Sequence, residues 1–501
     1  MSILAHRDYR HGDTYDAEVV VVGTGAGGAV VGTELAEAGY DVLFVEEGGY
    51  HPTPSFNPYL SESIPRLYRD AGGTVIMGRP PIPYAEGRCV GGGTVVNGGM
   101  TWRPPEEVLL EWEKLTGQPD LGPRAMEALF DRVEERVHAK PQHPASVGED
   151  SRLLEEGAAR LGWHYEPNRR AQDRCVGSNQ CVTGCPTGAK QSTLVSYLPR
   201  AFERGASCMT EVRVHRLWIE DGRCVGVIGK AVNPRSREED VDIRIRGKAV
   251  VVSCGAVQTP FLLLGHRLGR PSRQLGKNFL CHPNTKVVAI YPNDIYAWRG
   301  VSQGGQIREF RDEGILMAEN AVPPGTAAAQ IPFLGQDALD LMRRYNAMAM
   351  TGVLVEDSRP GRVSRRFGVP MARYDITRYD HARFLRGVRH LATLHFEMGA
   401  ERVILPFSNF HVAESVDDLE RIERTQRSRS TIELFTVHMM GTCRMGSDPA
   451  SSVVGLDGQL WDLPGCYVAD ASLFPTAVGV NPQVTIMALA TRVARRLSIP
   501  N

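Results

Sequence analysis

Six consecutive residues, Gly23-Thr24-Gly25-Ala26-Gly27-Gly28, constrain this chain more than any other feature because of what flanks them. An apolar, β-rich run from Ala17 to Val22 leads in. Val30 to Ala38 leads out with helical spacing, and a second β-rich run follows from Asp41 to Glu46. The pattern is strand, turn, helix, strand. In the spacing G-x-G-x-x-G each glycine has its own task. Gly23 permits the tight turn, Gly25 lets backbone approach a pyrophosphate, and Gly28 lets helix and strand pack closely. The phosphates then lie on the helix N-terminus, where free N–H groups point at them. Glu46, 18 residues after Gly28, ends the second strand in position to accept a hydrogen bond from a ribose hydroxyl. A dinucleotide site follows, and both NAD and FAD satisfy it.

Length and composition bound what surrounds that unit. With 501 residues, 42% of them apolar, and 52 glycines, the chain has two to three domains' worth of compact, loop-rich α/β structure rather than a linker-joined array. A net charge of −1 supplies no global field to attract a polyanion, so no nucleic-acid partner is expected. No apolar run reaches the roughly 18 residues of a spanning helix. The opening stretch up to Asp16 is polar and lacks an apolar leader core, so the expectation is a soluble, cytoplasmic protein without a membrane span. Ten cysteines are too sparse for a disulfide scaffold, and only Cys175, Cys181 and Cys185 cluster.

Beyond the first unit, Tyr50 to Tyr84 reads as an extended, well-packed excursion, and Glu106 to His138 as helix broken near Gly117 to Gly122. Gln142 to Gly148 reads as a mobile connection. Cys208 to Val232 alternates as strands around a turn at Asp221-Gly222, and Lys248 to Cys254 is a buried strand running into Gly255. From about 285 to 427 the texture changes to amphipathic segments, including Gln336 to Tyr345 and Asp380 to Met398, which mark a substrate-side domain.

A second glycine block, Gly87-Arg88-Cys89-Val90-Gly91-Gly92-Gly93-Thr94-Val95-Val96-Asn97-Gly98-Gly99, exposes backbone N–H groups suited to another face of a large cofactor. Near the C-terminus stand His438-Met439-Met440-Gly441-Thr442-Cys443, Val468-Ala469-Asp470-Ala471-Ser472, and Gly479-Val480-Asn481-Pro482. A His and an Asn brought to one point can take a proton from an alcohol and hold its oxygen while a hydride leaves the carbon.

With these blocks the sequence resembles the glucose-methanol-choline (GMC) family of FAD enzymes that oxidise alcohols. The Gly92 to Asn97 loop is similar to its first signature. Cys254-Gly255-Ala256-Val257-Gln258-Thr259-Pro260 is similar to its second, and Leu275 to Pro283 to its G-x-N-L-x-x-H segment. The resemblance covers about half the chain. It implies an α/β architecture: a Rossmann-like FAD-binding domain with an interleaved α+β substrate domain built on an antiparallel sheet plus helices. The corresponding division is 1–110, 200–284 and 428–501 for FAD, 111–199 for a helical insertion with the cysteine loop, and 285–427 for substrate.

The resemblance further implies that Gly92, Thr94, Asn97, Val212, Asp470 and Pro482 join Gly23, Gly25, Gly28 and Glu46 around FAD. It places the base on His438 and the oxygen-holding amide on Asn481. Members that bind FAD covalently do so through a His just before the Asn of the loop; Val96 stands there, so a non-covalent FAD is implied. The partners implied are a small-molecule alcohol and oxygen or another electron acceptor. Among the branches, long-chain and cyclic alcohol oxidases are closest in pattern, on the His-plus-Asn pair and Gly188-Ala189-Lys190-Gln191-Ser192. Trp102, Trp298, Phe333, Tyr345 and Met348 to Met350 are candidates for an apolar pocket. A sugar or aminoglycoside hydroxyl, or an electron-transfer role for the cysteine loop, are the alternatives. Cys175-x5-Cys181-x3-Cys185-Pro186 resembles a ferredoxin run with Ser178 in place of one cysteine. It reads three ways, as a cluster site, a thiol group or plain loop packing, and no metal ligand is assigned.

Overall fold

The computed structural model of the chain describes residues 2–266, 268–269 and 271–499. Two sheets organise it. The first runs in the order Ser2–Leu4, Ser207–Met209, Val42–Val45, Asp13–Val22, Glu239–Val252, Arg223–Val232, Val212–Glu220. Its first five strands are parallel, and the last two turn back antiparallel. Val19 to Val21, Val42 and Val250 to Val252 have no exposed surface. Such continuous β-branched runs are what a parallel strand needs when helices cover both of its faces. Burying each valine contributes about 1.5–3 kcal/mol.

One strand does two jobs. The early part of Glu239–Val252 pairs antiparallel with Arg223–Val232, while its last three residues pair with Cys466–Val468 in parallel register, Val250 opposite Cys466 and Val252 opposite Val468. That register delivers Ala469 and Asp470 to the start of the helix Gly28–Glu37, against which the C-terminal helix Gln483–Arg496 also packs.

The second sheet is antiparallel throughout, in the order Val412–Ala413, Arg402–Ile404, Asn284–Ile290, Met348–Val355, Ile315–Glu319, Gly305–Ile307, Tyr165–Pro167. The 20-residue helix Arg378–Glu397 covers it. Thr377 caps that helix: its hydroxyl accepts from Asp380 N–H at 3.0 Å while Asp380 accepts from Thr377 N–H at 2.9 Å. Gly387 lets helix and sheet close up, since a Cβ there would lie 2.5 Å from Val353 Cγ1.

The stretch 111–199 is divided between the two cores. Trp112, Met126 and Phe130 bury in the first, while Leu153, Leu154 and Ala158 bury in the second. Tyr165–Pro167 becomes an edge strand of the second sheet. The mixed α/β class and the antiparallel second sheet agree with the sequence reading. Among the described residues no helix is long and apolar enough to cross a membrane.

Candidate active site

The glycines of the first turn separate by task. Gly23 holds φ 99°, and a Cβ on it would lie 2.4 Å from Ser253 O; one on Gly28 would lie 2.0 Å from Gly23 O. Gly27, which the motif leaves unspecified, is packed as tightly, with Ala469 O 1.7 Å from where its Cβ would stand. A Cβ on Gly25 meets nothing within 4 Å. Three glycines therefore serve packing and one fronts open space at a helix start, where backbone donors are free.

The second glycine block lies directly on that turn. Gly92 holds φ 52°, and its Cβ would sit 2.8 Å from Gly25 Cα, while Gly93 and Gly255 face open space as Gly25 does. Thr24 fastens the two blocks. Its hydroxyl accepts from Gly91 N–H at 3.0 Å and donates to Glu46 Oε2 at 2.7 Å. The motif gives no signal for that role.

Several of the cofactor candidates hold one another or the glycine turns. Glu46 accepts from Thr24 N–H at 3.0 Å and Gly48 N–H at 2.9 Å; burial raises its carboxyl and these bonds oppose the rise. Asp470 accepts from Gly255 N–H at 2.9 Å, Thr259 Oγ1 at 2.5 Å, Ser472 N–H at 2.8 Å and Ser472 Oγ at 2.5 Å. It thereby ties the strand end to the helix Gly255–Leu264. Thr94 Oγ1 donates to Gly91 O at 2.6 Å, and Asn97 links the loop to Gln483. Val212 N–H donates to Glu46 O at 2.9 Å, and Pro482 is the N-cap of the last helix. A hollow fronted by three glycines without Cβ obstruction, at a helix start and with buried carboxylates at its rim, fits a dinucleotide.

His438 and Asn481 come together although 43 residues separate them: Asn481 Nδ2 is 3.1 Å from His438 Nε2. The His438 block runs beside the turn after Asp470, with Gly441 N–H on Ala471 O at 3.0 Å and Cys443 N–H on Ser472 O at 2.8 Å. Gly441, at φ 85°, is required there because a Cβ would lie 2.3 Å from Asn278 O. Burial, with His282 adding to it, lowers the His438 imidazole to about 3. The ring is neutral at ordinary pH, and the amide N–H facing Nε2 marks that nitrogen as the lone-pair side. The His282 ring stands 6.0 Å away, edge to face. It is fully buried and backed by Asp357, whose carboxylate accepts from Cys281 N–H at 3.0 Å and His282 N–H at 2.8 Å.

One neighbour was not foreseen. Gln306, on the strand Gly305–Ile307, directs Nε2 to Asn481 Oδ1 at 3.4 Å. It reaches the pair only through β pairing of distant strands, for which the local sequence carries no signal.

The other candidates lie elsewhere. Phe333, Tyr345, Met348 and Met350 pack in a core cluster of their own with Ile290 and Leu341. Trp298 is 44% exposed and bonds Asn346. Trp102 lines a cleft of about 730 Å³. Cys175, Cys181 and Cys185 line one small cavity with Arg170 and Lys190. Arg170 Nη2 donates to Cys181 Sγ at 3.3 Å, and Lys190 N–H to Cys185 Sγ at 3.4 Å. Lys190 Nζ donates to Val95 O at 2.5 Å, Asn97 O at 2.8 Å and Cys181 O at 2.5 Å, which straps the cysteine loop to the back of the second glycine block. Among the described residues no group of three or more His, Cys, Asp or Glu is placed to hold a metal ion.

Comparison with known proteins points to one family. Residues 64–284 match the N-terminal and residues 358–490 the C-terminal family model of GMC oxidoreductases. An uncharacterized GMC-type oxidoreductase of Mycobacterium tuberculosis is 35% identical over 480 residues, covering 95% of this chain and 75% of its own. The long-chain-alcohol oxidase FAO4B of Arabidopsis thaliana is 27% identical, covering 96% of this chain and 67% of its own. In structure the chain is similar to pyridoxine 4-oxidase from Mesorbium loti, with a TM-score of 0.71 at 18% identity over 96% of this chain and 98% of that one.

Proposed function

The chain belongs to the GMC oxidoreductase family, and on that premise we propose that it oxidises an alcohol to an aldehyde or ketone with His438 as the base and Asn481 as the holder of the substrate oxygen. It is an oxidoreductase acting on CH–OH donors, and its cofactor is FAD. FAD, when bound, supplies the hydride acceptor. The hollow at Gly25, Gly93 and Gly255 would hold it, with the helix start at Gly28 toward the pyrophosphate and Glu46 toward the ribose. Val96, apolar and buried just before Asn97, offers no nucleophile for a covalent link. Denaturation is therefore expected to release all of the flavin.

The residues divide the work. His438 Nε2, unprotonated and already meeting an N–H, takes the hydroxyl proton. Once Nε2 is protonated it no longer accepts from Asn481, so the amide N–H is free to turn to the substrate oxygen as its bond order rises. Burial of His438 keeps competing water from its contact. Oxygen or another acceptor then closes the cycle.

The observation that carries this reading is the 3.1 Å contact between two polar side chains that lie 43 residues apart in the chain. His438→Ala is expected to slow anaerobic flavin bleaching by an alcohol by about 10²–10⁴-fold with flavin content unchanged. Bleaching at a near wild-type rate would remove His438 from the base role.

A further inference from the structure

We propose that the substrate is a neutral, polyhydroxylated alcohol, held by a track of three side chains, Gln306, Thr101 and Arg308, that leads from Asn481 into the cleft at Trp102. The proposal rests on the reading of His438 and Asn481 as the reacting pair.

The track begins at Gln306, which is 3% exposed and spends Nε2 on Asn481, while its Oε1 is buried without a hydrogen-bond partner. Arg308 follows two residues later on the same side of extended chain, roughly 7 Å along. Its N–H still pairs with His164 O at 2.9 Å, which keeps the strand direction. The guanidinium lies 4.4 Å from the Trp102 ring centre and 3.5 Å from Glu166, and its side chain is only 8% exposed. Even so, Nη1 is buried without a partner. Thr101, beside Trp102 and 1% exposed, has an Oγ1 in the same condition.

These groups are held in place. Trp102 Nε1 donates to Asn168 Oδ1 at 2.6 Å, and Asn168 Nδ2 donates to Gly305 O at 3.0 Å, so the tryptophan is strapped to the strand that carries Gln306.

An unmet buried donor or acceptor costs roughly 1–3 kcal/mol. Three such atoms, an acceptor, a hydroxyl and a charged donor, belong to Gln306, which touches Asn481, and to Thr101 and Arg308, which line a cleft of about 730 Å³. An alkyl chain would leave all three unmet, whereas ring hydroxyls both donate and accept. The cleft's charged lining is balanced, four arginines against four carboxylates, so it matches a ligand without net charge. The aromatic and methionine side chains that would suit an alkyl chain lie in a separate core.

The test compares a panel of cyclic polyols and simple sugars with C6–C12 alkanols, and wild type with Arg308→Met and Arg308→Lys. The readouts are anaerobic flavin bleaching and the thermal shift of the holoenzyme. Polyols are expected to reduce the flavin with a higher kcat/KM than alkanols. Arg308→Met should raise the polyol KM about 10–100-fold and abolish the polyol-induced rise in Tm. Arg308→Lys should recover part of both, and benzyl alcohol bleaching should stay within about twofold. Alkanols outperforming every polyol, or an Arg308→Met enzyme that loses polyols and benzyl alcohol equally, overturns the proposal. Failure of the reacting-pair reading looks different, because His438→Ala would then bleach like wild type whatever Arg308 does.

Discussion

The two faces of the His438–Asn481 pair are assembled by different rules. On the dinucleotide side the work is done by contiguous motifs. Gly23 to Gly28 and Gly87 to Gly99 fold onto each other so closely that Gly92 would touch Gly25 if it carried a Cβ. On the substrate side no motif exists. Gln306 and Arg308 are carried on and just past the strand Gly305–Ile307, whose edge pairing is with Tyr165–Pro167, about 140 residues away in the chain. A contiguous motif can be read from spacing, while a face made by strand register cannot.

That contrast can be broken at its strong end. Gly25→Ala adds its Cβ to open space, so FAD affinity should fall by at least about 100-fold while the thermal midpoint of the apoprotein stays put. Gly28→Val should do the reverse in kind: with Gly23 O at 2.0 Å from the new Cβ, the fold loses about 3 kcal/mol or more in urea unfolding. If both variants lost FAD and stability together, the separation of packing glycines from the cofactor-facing one would be wrong.

The cysteine loop sharpens the comparison at a smaller scale. Lys190→Met removes the donor from three carbonyls, two of them in the second glycine block, and should cost about 3 kcal/mol along with some FAD affinity. Cys175→Ser should change stability by no more than about 0.5 kcal/mol. Iron in the anaerobically purified protein, lost in the Cys175→Ser variant, would instead give the loop a cluster.

How much was legible follows the same division. The first sheet could be read because Val19 to Val22 and Val250 to Val252 are unbroken β-branched runs beside glycine turns. The helix over the second sheet was visible in its periodicity, within two residues at its start. The split of 111–199 between two cores was hidden, since helices such as Glu106–Thr116 and Glu149–Arg160 carry an apolar face without saying which core it meets. The apolar-pocket candidates were misleading for a related reason. Phe333, Tyr345 and Met350 have the composition of a pocket, but burial in a core asks for the same side chains. Thr24 and Gly27 were missed because the motif leaves those positions free.

The smallest effect expected is on pH dependence. Burial lowers His282 to about 4, and His395 and His438 to about 3, against an ordinary value of 6.5. Between 6.5 and about 4 the unfolded chain therefore binds more protons at these sites, so their contribution to stability is lost as pH falls through that window. Asp357, raised to about 6 by burial, works in the opposite direction. Replacing His395, held between Tyr291 and Thr351 at 2.9 Å each and remote from the reacting pair, should remove about one proton from the linkage. Urea midpoints of His395→Gln and wild type across pH 4–7 measure the difference in slope.

The most direct measurement is a double-mutant cycle on the pair, read as the anaerobic rate of flavin bleaching in a single turnover. If His438 and Asn481 act as one unit, His438→Ala and Asn481→Ala each slow the step by about 10²–10⁴-fold, and the double variant is about as slow as His438→Ala alone. Fully multiplicative losses, or a His438→Ala enzyme that bleaches as fast as wild type, would contradict the account.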